Sequence, residues 1–88
     1  MMKPVKVYTT TVCTYCHAAK RLLNQRQIPF EEIGLDDKPE LRQQLSDQNK
    51  GYRTVPMIFI GSEFIGGFTE LNNLDRSGKL VSLLQEST

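Results

Sequence analysis

The strongest constraint on this chain is the position of its two cysteines, Cys13 and Cys16, three residues apart between a strand pattern and a helix pattern. Val5-Lys6-Val7-Tyr8-Thr9 alternates, with Val5 and Val7 on one face, as a half-buried strand does. Thr10 to Thr14 form a polar connection. Beyond it Cys16, Ala19, Leu22 and Leu23 recur at helical spacing, opposite Lys20, Arg21, Asn24 and Gln25. Pro29 forces Ile28 toward extended geometry and is expected to end this helix. The helix therefore starts at the cysteines, which are too few and too close for the disulfide framework of a small secreted domain. Their spacing suits redox chemistry or metal binding.

The remaining pattern completes a layered α/β architecture. Phe30 to Leu35 reads as a second strand with Ile33 and Leu35 on one face. Because a helix separates it from the first, the two form a parallel β-α-β unit. Asp37-Lys38-Pro39-Glu40 has capping-box spacing and opens a second helix with a thin apolar stripe, Leu41 and Leu45, closed by Gly51. Met57-Ile58-Phe59-Ile60, Gly61-Ser62 and Glu63-Phe64-Ile65 make a hairpin, with Gly first in the turn as a type II′ turn requires. After Gly66-Gly67-Phe68, Thr69 is the expected cap of a helix bearing Leu71 and Leu74. Gly78 is its C′ residue, and Leu80, Leu83 and Leu84 give a last amphipathic turn or two. The order β-α-β-α-β-β-α predicts a thioredoxin-like fold: one domain over residues 1–88, with a four-stranded mixed sheet flanked by helices on both faces.

Composition narrows the function classes. Of the 88 residues, 24 are Leu, Ile, Val or Phe, enough for a modest core and too many for a disordered chain. Eleven basic residues stand against ten acidic ones, a net charge of +1, which argues against wrapping nucleic acid. Met1-Met2-Lys3-Pro4-Val5 carries no apolar leader pattern and no 18-residue apolar run occurs, so the expectation is a cytosolic protein without a membrane span.

A C-x-x-C at a strand-to-helix junction brings both sulfurs within disulfide reach. It also sets the first where unpaired helix N–H groups favour a thiolate. Cys13 is thus the expected nucleophile, and Cys16, on the apolar stripe, the shielded resolving thiol. At such a junction this reading outweighs two small core residues. Cys13-Thr14-Tyr15-Cys16-His17 also matches covalent haem attachment, but neither an export signal nor a helical haem-wrapping pattern accompanies it. A closed zinc site needs four ligands, and only Cys13, Cys16 and His17 are at hand, so no metal site is expected. His17 is expected to be a solvated residue.

Three ordered blocks closely resemble the glutaredoxin family over nearly the full length: Val7-Tyr8-Thr9 before Cys13-Thr14-Tyr15-Cys16, Gly51-Tyr52-Arg53-Thr54-Val55-Pro56-Met57-Ile58-Phe59-Ile60, and Gly66-Gly67-Phe68-Thr69-Glu70-Leu71. The resemblance implies a cis Pro56 after Thr54 and Val55, with the Val55 main chain offered to the cysteinyl part of glutathione. Backbone N–H groups of Phe68 and Thr69, after Gly67, suit the γ-glutamyl carboxylate, and Glu70, where the family has Asp, its ammonium. Arg42 and Arg53 are candidates for the glycyl carboxylate or else solvated charges, and Tyr15 covers the site edge. Two further positions depart from the family: Thr14 replaces a proline, and Thr10 a frequent basic residue.

The expected activity is glutathione-dependent reduction of protein disulfides and glutathionyl mixed disulfides, by a monomer with glutathione as co-substrate. Two alternatives stand beside it. One is a glutaredoxin-shaped protein reduced by thioredoxin reductase, against which the Gly66-to-Glu70 block speaks. The other is an iron-sulfur carrier: relatives with a small hydroxyl residue in place of that proline can share a [2Fe–2S] cluster between two subunits, through the first cysteine of each and two glutathiones.

Overall fold

The computed structural model describes residues 3–85; Met1 and Met2, part of the leader reading, lie outside it. The alternation in the first strand is realised as β1 (Val5–Thr9), with Val5, Val7 and Thr9 buried. Helix α1 (Thr14–Gln25) follows, burying Cys16, Ala19, Leu22 and Leu23. Its end comes earlier than Pro29 requires. Gln27 turns left-handed (φ 58°), Ile28 N–H donates to Leu23 C=O at 2.9 Å and Gln27 N–H to Asn24 C=O at 3.0 Å. That is a Schellman cap, so the last carbonyls are satisfied before the proline is reached.

Strand β2 (Glu31–Gly34) is shorter than the 30–35 expected, although Leu35 N–H still reaches Thr9 C=O at 2.8 Å. Helix α2 (Pro39–Gln48) corrects the capping expectation. Lys38 occupies the N-cap without a side-chain hydrogen bond, because Pro39, with no N–H to leave unpaired, takes the first helical position and moves Asp37 out of capping register. The helix closes at Gln48 and Gly51 lies beyond it, returning its N–H to Ser46 C=O at 2.7 Å. The hairpin forms as expected, β3 (Met57–Ile60) and β4 (Glu63–Gly66), with Gly61 at φ 61° in the first turn position. Helix α3 (Phe68–Ser77) starts one residue before Thr69, with Gly67 as N-cap. Left-handed Gly78 separates it from α4 (Lys79–Leu84).

The sheet order is β2-β1-β3-β4, with β1 and β2 parallel and the other pairs antiparallel. One face carries the larger core, in which Val7, Ile58, Leu23 and Leu71 from β1, β3, α1 and α3 meet Leu80 and Leu84 of α4. On the other, Leu35, Met57 and Leu45 of α2 pack with half-buried Tyr8, Phe59 and Phe64. Among the described residues no helix is long and apolar enough to cross a membrane.

Candidate functional site

The carboxyl end of β1 delivers the chain to α1 through residues 10–13. Cys13 itself is the N-cap, in extended conformation (φ −154°, ψ 105°), and its sulfur accepts the Cys16 N–H at 3.1 Å. No acidic residue occupies the first turn of α1, so nothing there opposes negative charge on that sulfur. The Cys13 thiol faces the Val55 carbonyl at 3.5 Å, across a sequence separation of 42. Both cysteines are free thiols: Cys13 half-buried, Cys16 1% exposed. Burial, reinforced by the hydrogen bond with Cys13, pushes the Cys16 thiol up to about 12.

Beside Cys13 lies an open cleft of about 290 Å³, lined by Tyr15, Tyr52, Thr54, Val55, Pro56, Gly67, Phe68, Thr69 and Glu70. Every binding candidate from the sequence lines it except Arg42 and Arg53. Tyr15, 63% exposed, stacks on Phe68 with ring centroids 6.3 Å apart. The Val55-Pro56 bond is cis. Arg42 Nη2 donates to the Arg53 carbonyl at 3.0 Å. At the other end, Phe68 and Thr69 hold the first two positions of α3, where N–H groups have no intrahelical partner. Glu70 is not wholly free, since its Oε1 accepts the Gly67 N–H at 2.7 Å, half of a capping box that Gly67 cannot reciprocate.

Tyr52 lines the cleft as well, with no local sequence signal for a role there. A Cβ on Gly67 would fall 2.6 Å from its hydroxyl, so the phenol stands against the start of α3 and would have to shift for any larger residue there. Its ring packs edge-on to Phe64, centroids 4.9 Å apart, a contact between distant segments that no local pattern announces. His17 is exposed on the outside of α1. Among the described residues no group of three or more His, Cys, Asp or Glu could hold a metal ion. A [2Fe–2S] cluster takes four thiolates, and one chain offers only Cys13 and the inward-turned Cys16. The single chain does not fit that cluster.

A four-stranded mixed sheet between helices, with a C-x-x-C opening the first helix and a cis proline facing it, defines the thioredoxin-like fold. Within that class the chain belongs to the glutaredoxin family, whose family model matches residues 5–65. It is 48% identical over 83 residues to a glutaredoxin of Pseudomonas aeruginosa, covering 94% of this chain and 98% of that one. Against glutaredoxin 3 of Escherichia coli the identity is 39% over 84 residues, covering 96% and 100%. The solution structure of a Brucella melitensis glutaredoxin superposes with TM-score 0.84 at 43% identity, covering 94% and 89%. The buckwheat glutaredoxin–glutathione complex gives 0.86 at 36%, covering 93% and 76%. Membership makes the protein a thiol–disulfide oxidoreductase.

Proposed function

We propose that the protein uses glutathione to reduce glutathionyl mixed disulfides and protein disulfides, with Cys13 as nucleophile and Cys16 as resolving thiol. The carrying observation is Cys13 as N-cap sulfur of α1, facing Val55 at the edge of a cleft that ends on the first N–H groups of α3. The buckwheat relative, solved as its glutathione complex, supports glutathione as the occupant of that cleft. The γ-glutamyl carboxylate would lie on the Phe68 and Thr69 N–H groups, and the cysteinyl main chain on Val55.

In this mechanism the Cys13 thiolate attacks the glutathionyl sulfur, forming a Cys13–glutathione disulfide and releasing the substrate thiolate. A second glutathione thiolate then attacks the glutathione sulfur, restoring Cys13 and leaving oxidised glutathione. With a protein disulfide, Cys16 attacks the Cys13 sulfur of the mixed disulfide, expels the protein thiolate and closes the Cys13–Cys16 disulfide, which two glutathiones then reduce in successive exchanges, leaving oxidised glutathione. The order has a physical basis. Burial is the main reason the Cys16 thiol is raised; the hydrogen bond with Cys13 and the charge of Cys13 add to it, and that charge is gone once Cys13 is tied up in a mixed disulfide.

The test is glutathione-dependent reduction of a glutathionyl peptide and of a protein disulfide by wild type, Cys13→Ser and Cys16→Ser. Cys13→Ser loses both activities. Cys16→Ser keeps the first and loses most of the second. Equal loss in the two variants with the glutathionyl peptide would overturn the assignment, and reduction restored only by thioredoxin reductase would replace glutathione as the reductant.

A further inference from the structure

Tyr52 reaches the cleft from a sharp turn. Lys50 and Gly51, just after α2, are both left-handed (φ 62° and 78°), and the Tyr52 N–H donates to Asn49 C=O at 3.2 Å. Its half-buried ring packs edge-on to Phe64 beside the smaller core, while the same residue lines the cleft. A ring that served only to fill this core would need no hydroxyl. Here the hydroxyl stands at Gly67: the point where a Gly67 Cβ would lie is 2.6 Å from it, 3.4 Å from the Pro56 carbonyl oxygen and 3.6 Å from Glu70 Oε1. Three oxygens thus gather beside the N-cap of α3, one of them a carboxylate's. Carbonyl and carboxylate oxygens only accept hydrogen bonds, and a phenol can accept as well, so this corner suits a positively charged group rich in donors. The next two residues, Phe68 and Thr69, offer the opposite, N–H groups at a helix start, which suit an anion. Acceptors and donors side by side match a free α-amino acid head, whose ammonium and carboxylate leave the same carbon.

We propose that Tyr52 is a selectivity residue for the γ-glutamyl end of the ligand, its hydroxyl accepting a hydrogen bond from the free ammonium group that Glu70 neutralises. This deepens the glutathione reading above and rests on it. The Gly67 N–H holds Glu70 Oε1 at 2.7 Å, which pins the carboxylate beside the phenol. An ammonium has three donors, so a second acceptor at a fixed position discriminates it from an uncharged or absent amine. The packing of the ring on Phe64 sets that position before the ligand arrives, and little side-chain freedom is lost on binding.

The test uses mixed disulfides of one peptide with three small thiols: glutathione, N-acetylglutathione, whose amine is uncharged, and cysteinylglycine, which lacks the γ-glutamyl group. Reduced protein in excess is mixed with each. The Cys13 thiolate attacks the sulfur of the small thiol, forms a disulfide with it and expels the peptide thiolate, whose release is followed. Tyr52→Phe keeps the ring and removes only the hydroxyl. It slows the glutathione substrate roughly threefold to tenfold, in line with the net worth of one hydrogen bond at an open site, and leaves the other two rates unchanged. An equal slowing of all three overturns the proposal, since the effect would then lie on Cys13. Slowing of glutathione and N-acetylglutathione alike overturns it too, by placing the hydroxyl on the carboxylate. The glutathione reading is judged by wild type alone: equal rates with glutathione and cysteinylglycine would remove glutathione as the occupant of the cleft, and the role of Tyr52 with it. A wild-type preference for glutathione that is undiminished in Tyr52→Phe removes the role of Tyr52 only.

Discussion

The two faces of the sheet are built on different physics, and the cleft straddles their boundary. The face under α1, α3 and α4 is aliphatic and closed: Val7, Ala19, Ile58 and Leu71 have no exposed surface. A two-pronged Arg26–Asp75 pair, at 2.9 and 3.0 Å, links the end of α1 to α3. The face under α2 is aromatic and half open. Tyr8 meets Phe59 edge-on, centroids 5.6 Å apart, and Phe59 meets Phe64 at 5.1 Å, while α2 itself buries only Leu45 and Ser46. One wall of the cleft, Phe68 to Glu70, is thus anchored in the large core. The other leans on a small core and on polar ties. The closed face supplies stability and the open one supplies adjustable geometry.

Truncating a core leucine on each face gives the largest expected effect. Leu71→Ala should cost about 3–5 kcal/mol, since its fully packed surroundings cannot collapse onto the void. Leu45→Ala should cost about 2 kcal/mol, because Leu41 and the half-exposed aromatic groups can move in. Urea denaturation of both variants checks the gap, and equal losses would erase the difference between the faces.

A smaller effect separates the two walls in binding. Thr69→Pro removes an N–H that no helical carbonyl uses, at a position where the first turn accepts proline. Loss of one charge-assisted hydrogen bond, about 1.5 kcal/mol, should raise the KM for glutathione about tenfold with kcat little changed. Arg53→Met, next to the leaning wall but outside the cleft lining, should raise it by no more than about threefold, a rim charge being largely screened. Steady-state kinetics at varied glutathione distinguish the two.

The smallest expected effect is a pH dependence at the edge of the closed face. Glu32 Oε2 accepts the Thr9 hydroxyl at 2.8 Å and Lys20 Nζ at 3.0 Å, and these bonds, Thr9 first, hold its carboxyl below the usual range. A depressed folded-state value stabilises the fold fully above the unfolded value, near pH 4.3. That contribution is lost as pH falls through the lower folded one. The Glu32 side chain is 41% exposed, so solvent screening leaves about 0.5 kcal/mol. Glu32→Gln should narrow the difference in unfolding free energy between pH 7 and pH 3, read by urea denaturation, by about that amount. A larger change would mean that polar ties carry weight on the aliphatic face as well.

Whatever depends on neighbours along the chain was readable from the sequence alone. The alternation of Val5 and Val7, the helical recurrence from Cys16 to Leu23, the Gly61-Ser62 turn and the C-x-x-C at the junction are local patterns, and local backbone geometry realises them. The element ends shifted wherever two local signals competed: Pro39 displaced Asp37 from the cap, Gln27 turned the chain before Pro29, and Gly67 took the cap expected at Thr69. Only tertiary structure decided the partners of the long polar side chains. Arg42 reaches a carbonyl 11 residues on, Thr11 a carboxylate 25 residues on, and the Tyr52 hydroxyl stands against Gly67. A flexible charged side chain at the surface has many partners of nearly equal energy, and the one it takes is set by which distant backbone the closed core brings within about 3 Å.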